Sequence, residues 1–262
     1  MALVDLTLDT SLGIATLTFN RPAVLNAIDV ATAQAFRDAV LTLGARDDVR
    51  CIVLTGAGKA FVAGGDVARF ADDFDNAAAV VDQLLDALHP AIEILAGHAA
   101  PVLGSVRGAV AGAGLSLLAA CDLAIAADDS RFLMAYDRVG AAPDCGGTWF
   151  LPRKVGQHRA AELMLLGETW DAQQALQAGL VNQVVPAQQL AAQTQAWAAR
   201  LAQRPTAALG AYKQLVAQAA RTPLRAHLEA ERAAFKQATT SADFREGVTA
   251  FLERRTPVFH GS

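Results

Sequence analysis

Cysteine, tyrosine and long uncharged apolar runs are scarce in this 262-residue chain, and each scarcity narrows what the protein can be. The three cysteines, Cys51, Cys121 and Cys145, lie far apart, form no C-x-x-C pair and leave an odd thiol. That pattern argues against a disulfide framework and fits a reducing compartment. The Ala/Gly-rich run 108–121 ends at Asp122, too short to span a bilayer, so no membrane partner is expected. The opening Met-Ala-Leu-Val-Asp-Leu lacks the basic flank and apolar run of a signal peptide, so the expected location is the cytoplasm. A basic block is also missing: net charge is −4, which argues against a nucleic-acid partner. His89, His98, His158, His227 and His260 show no metal-ligand spacing, so no metal is expected. What remains is a globular composition, 53% hydrophobic and 18% charged, long enough for a sizeable core.

Periodicity outlines the elements. Val4, Leu6 and Leu8 alternate with polar neighbours, and Ala15, Leu17 and Phe19 do so again after Gly13, which reads as a hairpin ended by Asn20-Arg21-Pro22. A helix follows, with Asp29 as N-cap, Phe36, Val40 and Leu43 at helical spacing, and Gly44 at the C-cap position. Cys51 to Leu54, Pro101 to Val106 and Leu123 to Ala127 read as buried strands, Arg131 to Ala135 as a fourth, and 69–98 as helix. Helix resumes after Pro152, at 159–166 and 171–178, and Leu180 to Val185 is a last strand. From about Ala187 only helix is visible, broken at Pro205 and Pro223. The layering is α/β. The chain divides into a core at 1–195 and a helical region at 196–262, for which an oligomer-forming role is expected.

Some motifs fail. Gly56-Ala57-Gly58-Lys59 resembles part of a P-loop, but Val53 replaces the first glycine and Ala60 the Ser/Thr. Gly112-x-Gly114 starts a dinucleotide fingerprint that Leu117 breaks, and the G-x-S-x-G elbow is absent around Ser116.

Two segments carry the chemistry: Phe61-Val62-Ala63-Gly64-Gly65-Asp66-Val67, and Gly108 to Ser116. Both place small residues where a strand hands over to a helix, so a ligand can approach bare backbone N–H groups. One such group from each segment can hold an oxygen that becomes negative during reaction. The second is helped by the positive end of a helix starting near Ala113, whose body, Leu115 to Ala120, is apolar all round.

Arg21-Pro22-x-x-x-Asn26-Ala27, Phe61-x-Ala63-Gly64-x-Asp66, the segment from Gly108 to Asp122 and Ala178-Gly179-Leu180-Val181-Asn182 resemble, in order and over nearly the whole chain, the crotonase (enoyl-CoA hydratase/isomerase) superfamily. The resemblance implies a crotonase (ClpP-like) fold of repeated ββα turns with a C-terminal helical trimerisation region. It implies a coenzyme A thioester as substrate, no other cofactor, and a homotrimer or dimer of trimers. Carried over by motif position, the oxyanion N–H groups are those of Ala63 and Ala113. Gly65 and Gly112 flank them, and Asp66 is expected to accept backbone N–H bonds that hold the Ala63 loop. The two hydratase glutamates fall on Ser116 and Tyr136, and neither is a carboxylate. Asp144, in Pro143-Asp144-Cys145-Gly146-Gly147-Thr148-Trp149, is the carboxylate that resembles the base of the phenylacetate-pathway isomerases. A cap on the following helix is its structural alternative, Asp137 is a weaker candidate base, and Tyr136 lines the acyl pocket or simply packs. Phe70, Phe74, Leu84 and Leu88 would wall that pocket. Coenzyme A would meet Leu25, Ala27, the backbone carbonyls of Ala63 and Gly65 and, from the tail, Phe251 and Arg254. The expected activity is an acyl-CoA isomerase acting through a thioester enolate. The alternatives are an enoyl-CoA hydratase, or a non-catalytic acyl-CoA- or RNA-binding relative.

Overall fold

A computed structural model describes residues 2–71 and 73–261. It opens with the expected hairpin, β1 (Val4–Asp9) antiparallel to β2 (Ile14–Phe19), with Val4 opposite Phe19 and Asp9 opposite Ile14. Helix α1 (Val30–Gly44) begins where Asp29 accepts the Thr32 N–H at 2.8 Å. It buries Ala33, Phe36, Val40 and Leu43 against the sheet. Gly44 belongs to its last turn, and Ala45 is the cap. Ile94 packs so close there that a β-carbon on residue 44 would sit 2.9 Å from it.

Strand β3 (Cys51–Gly56) leads to the short α2 (Ala68–Ala71) and the long α3 (Ala77–Gly97), so 69–98 is two helices where one was expected. Then come β4 (Val102–Val106), β5 (Ala109–Ala111), α4 (Ala113–Ala120), β6 (Leu123–Ala127) and β7 (Arg131–Leu133). Helix α5 (Gly147–Val155) starts before Pro152 and contains it; α6 spans Gln157–Leu165. Strand β8 (Trp170–Asp171), α7 (Ala172–Gln177) and β9 (Gln183–Val185) complete the sheets. The tail is α8 (Leu190–Ala202), α9 (Thr206–Ala219), α10 (Leu224–Ala238) and α11 (Ala242–Glu253).

The main sheet has the order β1-β2-β3-β4-β6-β9, parallel from β2 onward, and β5-β7-β8 form a small second sheet. Both faces of the main sheet are covered, as parallel strands require. Alternation decides which residue faces which layer: Ile52 and Leu54 join the large core with α1, α3 and α4, while Cys51 and Val53 face α8. Ser105 and Thr194 share a buried hydroxyl bond of 2.7 Å beneath α8. Residue 195 therefore falls inside a helix that belongs to the core, and the break between core and tail moves to 203–205. The tail is tied back by Arg50, which donates to Thr206 Oγ1 at 2.7 Å and to the Arg204 carbonyl at 2.8 Å.

Helix α4 presses directly on the first signature segment. A β-carbon at Gly114 would lie 2.1 Å from the Val62 carbonyl oxygen and 2.8 Å from its Cβ. Gly114→Ala should therefore lower unfolding free energy by about 2–3 kcal/mol, because both partners are buried and neither is a flexible side-chain end. Denaturant titration checks this, with an unchanged midpoint as the contrary result.

Candidate functional site

The first wall of the site is built from the Arg21–Ala27 loop. Leu25 and Asn26 both adopt left-handed backbone, at φ 53° and 58°. Asparagine tolerates that conformation better than most residues. The Asn26 side chain, fully buried, donates Nδ2 to the carbonyls of Ala57 (2.9 Å), Ala60 (2.8 Å) and Phe61 (3.0 Å), and accepts the Arg21 N–H at 2.8 Å. It thereby clamps the chain that enters the first signature segment. Arg21 reaches Asp66 and Asp29, each at 3.2 Å, and the Ala27 carbonyl at 2.5 Å. Burial works to raise the Asp29 carboxyl, but the Thr32 hydroxyl and amide and the Arg21 charge outweigh it and hold it below its ordinary value. Asp66 thus holds its loop through the Arg21 guanidinium. Among the described residues no backbone N–H donates to its side chain.

The next stretch settles which amide faces a ligand. Ala63 N–H donates to the Leu25 carbonyl at 3.1 Å, so it is already used and is not the oxyanion donor expected from the sequence. Ile28 N–H donates to Gly64 O at 2.8 Å, and Asp66 N–H donates to Ile28 O at 2.9 Å. In extended chain, successive amides point to opposite sides. The Gly65 N–H therefore points away from Ile28, and it has no partner among the described residues.

The second segment meets the first main chain to main chain. Ala111 N–H donates to Val62 O at 3.0 Å, and a β-carbon at Gly112, where φ is 51°, would lie 3.4 Å from Gly64 Cα. Gly112 N–H is used by Leu133 O at 3.1 Å. Ala113 N–H, at the first position of the buried α4, has no partner among the described residues. Helical N-termini carry partial positive charge.

Gly65 and Ala113 border one cavity of about 550 Å³. Its apolar side is α3 and α2: Phe70, Val81, Leu84, Leu85 and Leu88. Phe74 is 76% exposed and lies off this wall, contrary to expectation. The opposite side is the loop 135–144, with Tyr136 and Asp144. Asp144 is the one carboxylate among the described lining residues. It does not cap α5: the N-cap is Gly146, with no side-chain bond from Asp144 or Thr148. Its Oδ1 accepts a hydrogen bond from the Tyr136 hydroxyl. Burial, and then the Asp144 charge and hydrogen bond, push the Tyr136 phenol up, so it remains a donor. Burial and the Asp144 charge likewise push the Cys145 thiol up, leaving it neutral.

The other sequence candidates lie elsewhere. Ser116 is fully buried and off the cavity wall, packed against Gly147, and its Oγ has no hydrogen-bond partner among the described residues. Asp137 turns its carboxylate toward Gly167. Leu25, Ala27, Phe251 and Arg254 do not border this cavity within one chain; Phe251 is 83% exposed and lines a separate groove between α9 and α11. Among the described residues no cluster of three or more His, Cys, Asp or Glu could hold a metal ion, and no helix is long and apolar enough to cross a membrane. The sequence reading missed the Gly65 amide, the Arg21–Asp66 tie and the Tyr136–Asp144 bond. Arg21 and Asn26 were visible as motif positions, but not their partners.

Two unpartnered amides beside a single carboxylate, under a crotonase fold, define an enzyme class. The chain belongs to the enoyl-CoA hydratase/isomerase family, which it matches over residues 9–262. It is 40% identical over 250 residues to the 1,2-epoxyphenylacetyl-CoA isomerase of Escherichia coli (strain K12), covering 95% of each chain. It is also 40% identical over 249 residues to a Rhodobacter capsulatus protein named "Probable enoyl-CoA hydratase", again covering 95% of each. The crystal structure of an enoyl-CoA hydratase from Polaromonas sp. JS666 superposes with a TM-score of 0.91 at 34% identity, covering 98% of this chain and 99% of that one.

Asn26→Ala should strip two buried carbonyls and one half-buried carbonyl of their donor and cost roughly 2–4 kcal/mol of stability. Thermal and denaturant unfolding measure it. A loss below about 0.5 kcal/mol would mean that water replaces the amide.

Proposed function

We propose that this protein is an acyl-CoA isomerase working through a thioester enolate. In this reading the thioester oxygen sits between the Gly65 and Ala113 N–H groups. Asp144 takes a proton from a carbon of the acyl group, and the electron pair moves onto the held oxygen. The same carboxylic acid then returns the proton at another carbon, and the double bond has moved. Each oxyanion donor of this kind contributes about 3–4 kcal/mol in the transition state. The apolar α3 wall excludes water and strengthens these interactions. The reaction uses main-chain amides and one carboxylate and calls for no cofactor beyond the coenzyme A of the substrate.

The observation that carries this reading is the single carboxylate, Asp144, on the same cavity as two unpartnered amides. Hydration needs one group to activate water and another to deliver a proton. The positions of the hydratase glutamates hold Ser116, off the wall, and Tyr136, whose phenol stays protonated. Rearrangement of an aryl epoxide thioester, as in the name of the Escherichia coli relative, is one form the enolate chemistry can take. The hydratase name of the Rhodobacter capsulatus relative supports the second reading, in which another group activates water.

Coenzyme A would lie along the Leu25–Ala27 loop, with Phe251 and Arg254 supplied by a second copy of the chain. Arginine suits phosphate by charge and geometry. The reading includes a homotrimer or dimer of trimers: α10 buries none of its residues within the chain and exposes Leu224, Leu228 and Phe235.

Asp144→Asn should retain acyl-CoA binding within about twofold while turnover falls by about 10³. Turnover and calorimetric binding measured side by side check this, and near-parent turnover removes Asp144 from the mechanism. Efficient hydration of crotonyl-CoA by the parent would favour the hydratase reading. Leu228→Glu should reduce the assembly to single chains in light scattering; a monomeric parent is the contrary result.

A further inference from the structure

The Tyr136–Asp144 bond has a role beyond packing. We propose that Tyr136 is a positioning residue whose hydroxyl aims the Asp144 carboxylate at the cavity. The inference rests on the enolate reading above.

Two observations support it. First, Tyr136 donates to Oδ1 of Asp144 from eight residues away, and both residues border the cavity. A carboxylate has two oxygens, so one can be held while the other takes a proton. Second, the phenol is held in its neutral form by burial and by the Asp144 charge, so the donor is always present in the working range.

The bond suits both states of the base. With Asp144 ionised, Tyr136 O–H holds Oδ1 and the other oxygen is left for the substrate. With Asp144 protonated on that other oxygen, Oδ1 is a carbonyl oxygen that still accepts from Tyr136, and the acid O–H stays free for the substrate. The proton that Asp144 takes from carbon is the one it returns to carbon. Phenylalanine has no donor for Oδ1.

The surroundings of Asp144 leave few other groups to control its charge. The α3 wall presents Val81, Leu84, Leu85 and Leu88, and α4 presents Gly112 and Ala113. The residues lining from the segment 63–70 carry no charge, and Arg138 is the charged neighbour on the loop itself. Cys145 adjoins Asp144 as a neutral thiol.

The test is exchange of the α-protons of phenylacetyl-CoA with deuterated water, followed by NMR, in the parent and in Asp144→Asn, Tyr136→Phe and Tyr136→Gln. Asp144→Asn should abolish exchange. Tyr136→Phe should lower kcat by about 10–100-fold with KM within twofold. Tyr136→Gln, which keeps an N–H donor, should lose less kcat than Tyr136→Phe. A parent-like kcat in Tyr136→Phe, or equal losses in the two Tyr136 variants, with Asp144→Asn inactive, overturns the positioning role alone. Exchange that is absent in the parent, or intact in Asp144→Asn, overturns the enolate reading instead. Should Tyr136→Phe fail to fold by circular dichroism, Tyr136→Gln decides: a KM raised there as much as kcat falls overturns the positioning role.

Discussion

The backbone of residues 62–65 runs against that of 110–114 with no side chain between them. Val62 pairs with Val110, Ala111 donates to the Val62 carbonyl, and Gly114 lies on Val62. On its other side the same stretch is paired to Leu25 and Ile28. A strand held from both sides spends most of its amides on neighbours. What faces the cavity is the remainder: Gly65 from one segment, and Ala113 where a helix begins and has no earlier turn to bond to. Oxyanion stabilisation requires donors fixed before the charge arrives. In the proposed reaction that fixing would come from ordinary main-chain pairing. The small residues of the two segments are the condition for it: a β-carbon at Gly114 would push the segments apart, and Gly112 sits at φ 51°, a backbone conformation that strains a residue with a side chain.

Much of this was legible in the chain itself. The β1–β2 hairpin, the Asp29 cap and the apolar face of α1 depend on near neighbours, and the structure shows all three, although Thr7, Leu8 and Asp9 of β1 are all exposed. The two segments stood out because small residues at strand–helix junctions have few uses. The identity of the amide was not legible. Choosing Gly65 over Ala63 depends on which side of the strand pairs with Leu25 and Ile28, some 35–40 residues earlier. A separation of 45 residues hides the tie between Arg21 and Asp66. Residue 195 was a poor place to end the core because an amphipathic helix does not announce which layer it covers. Only the seating of Ala198 and Ala202 against Cys51, Val53 and Leu103 shows that α8 belongs to the sheet.

The loop 135–145 adds a second constraint. It is bracketed by two residues with side chains in left-handed backbone, Ala135 at φ 60° and Cys145 at φ 51°. Such positions cost on the order of 1–2 kcal/mol each. Burial of the Cys145 side chain and the Tyr136–Asp144 bond offset that cost. The loop is therefore held at both ends in a conformation that an unconstrained chain would leave. Strain of this kind persists only where the surroundings over-determine it, and it clusters at sites of function. Asp144 lies immediately before the second strained residue, so the direction of its carboxylate is set by main-chain geometry as well as by Tyr136. In the proposed isomerisation, a carboxylate that must reach two carbons in turn would benefit from that restriction: the acyl group would move along the apolar α3 wall while the base stays in place.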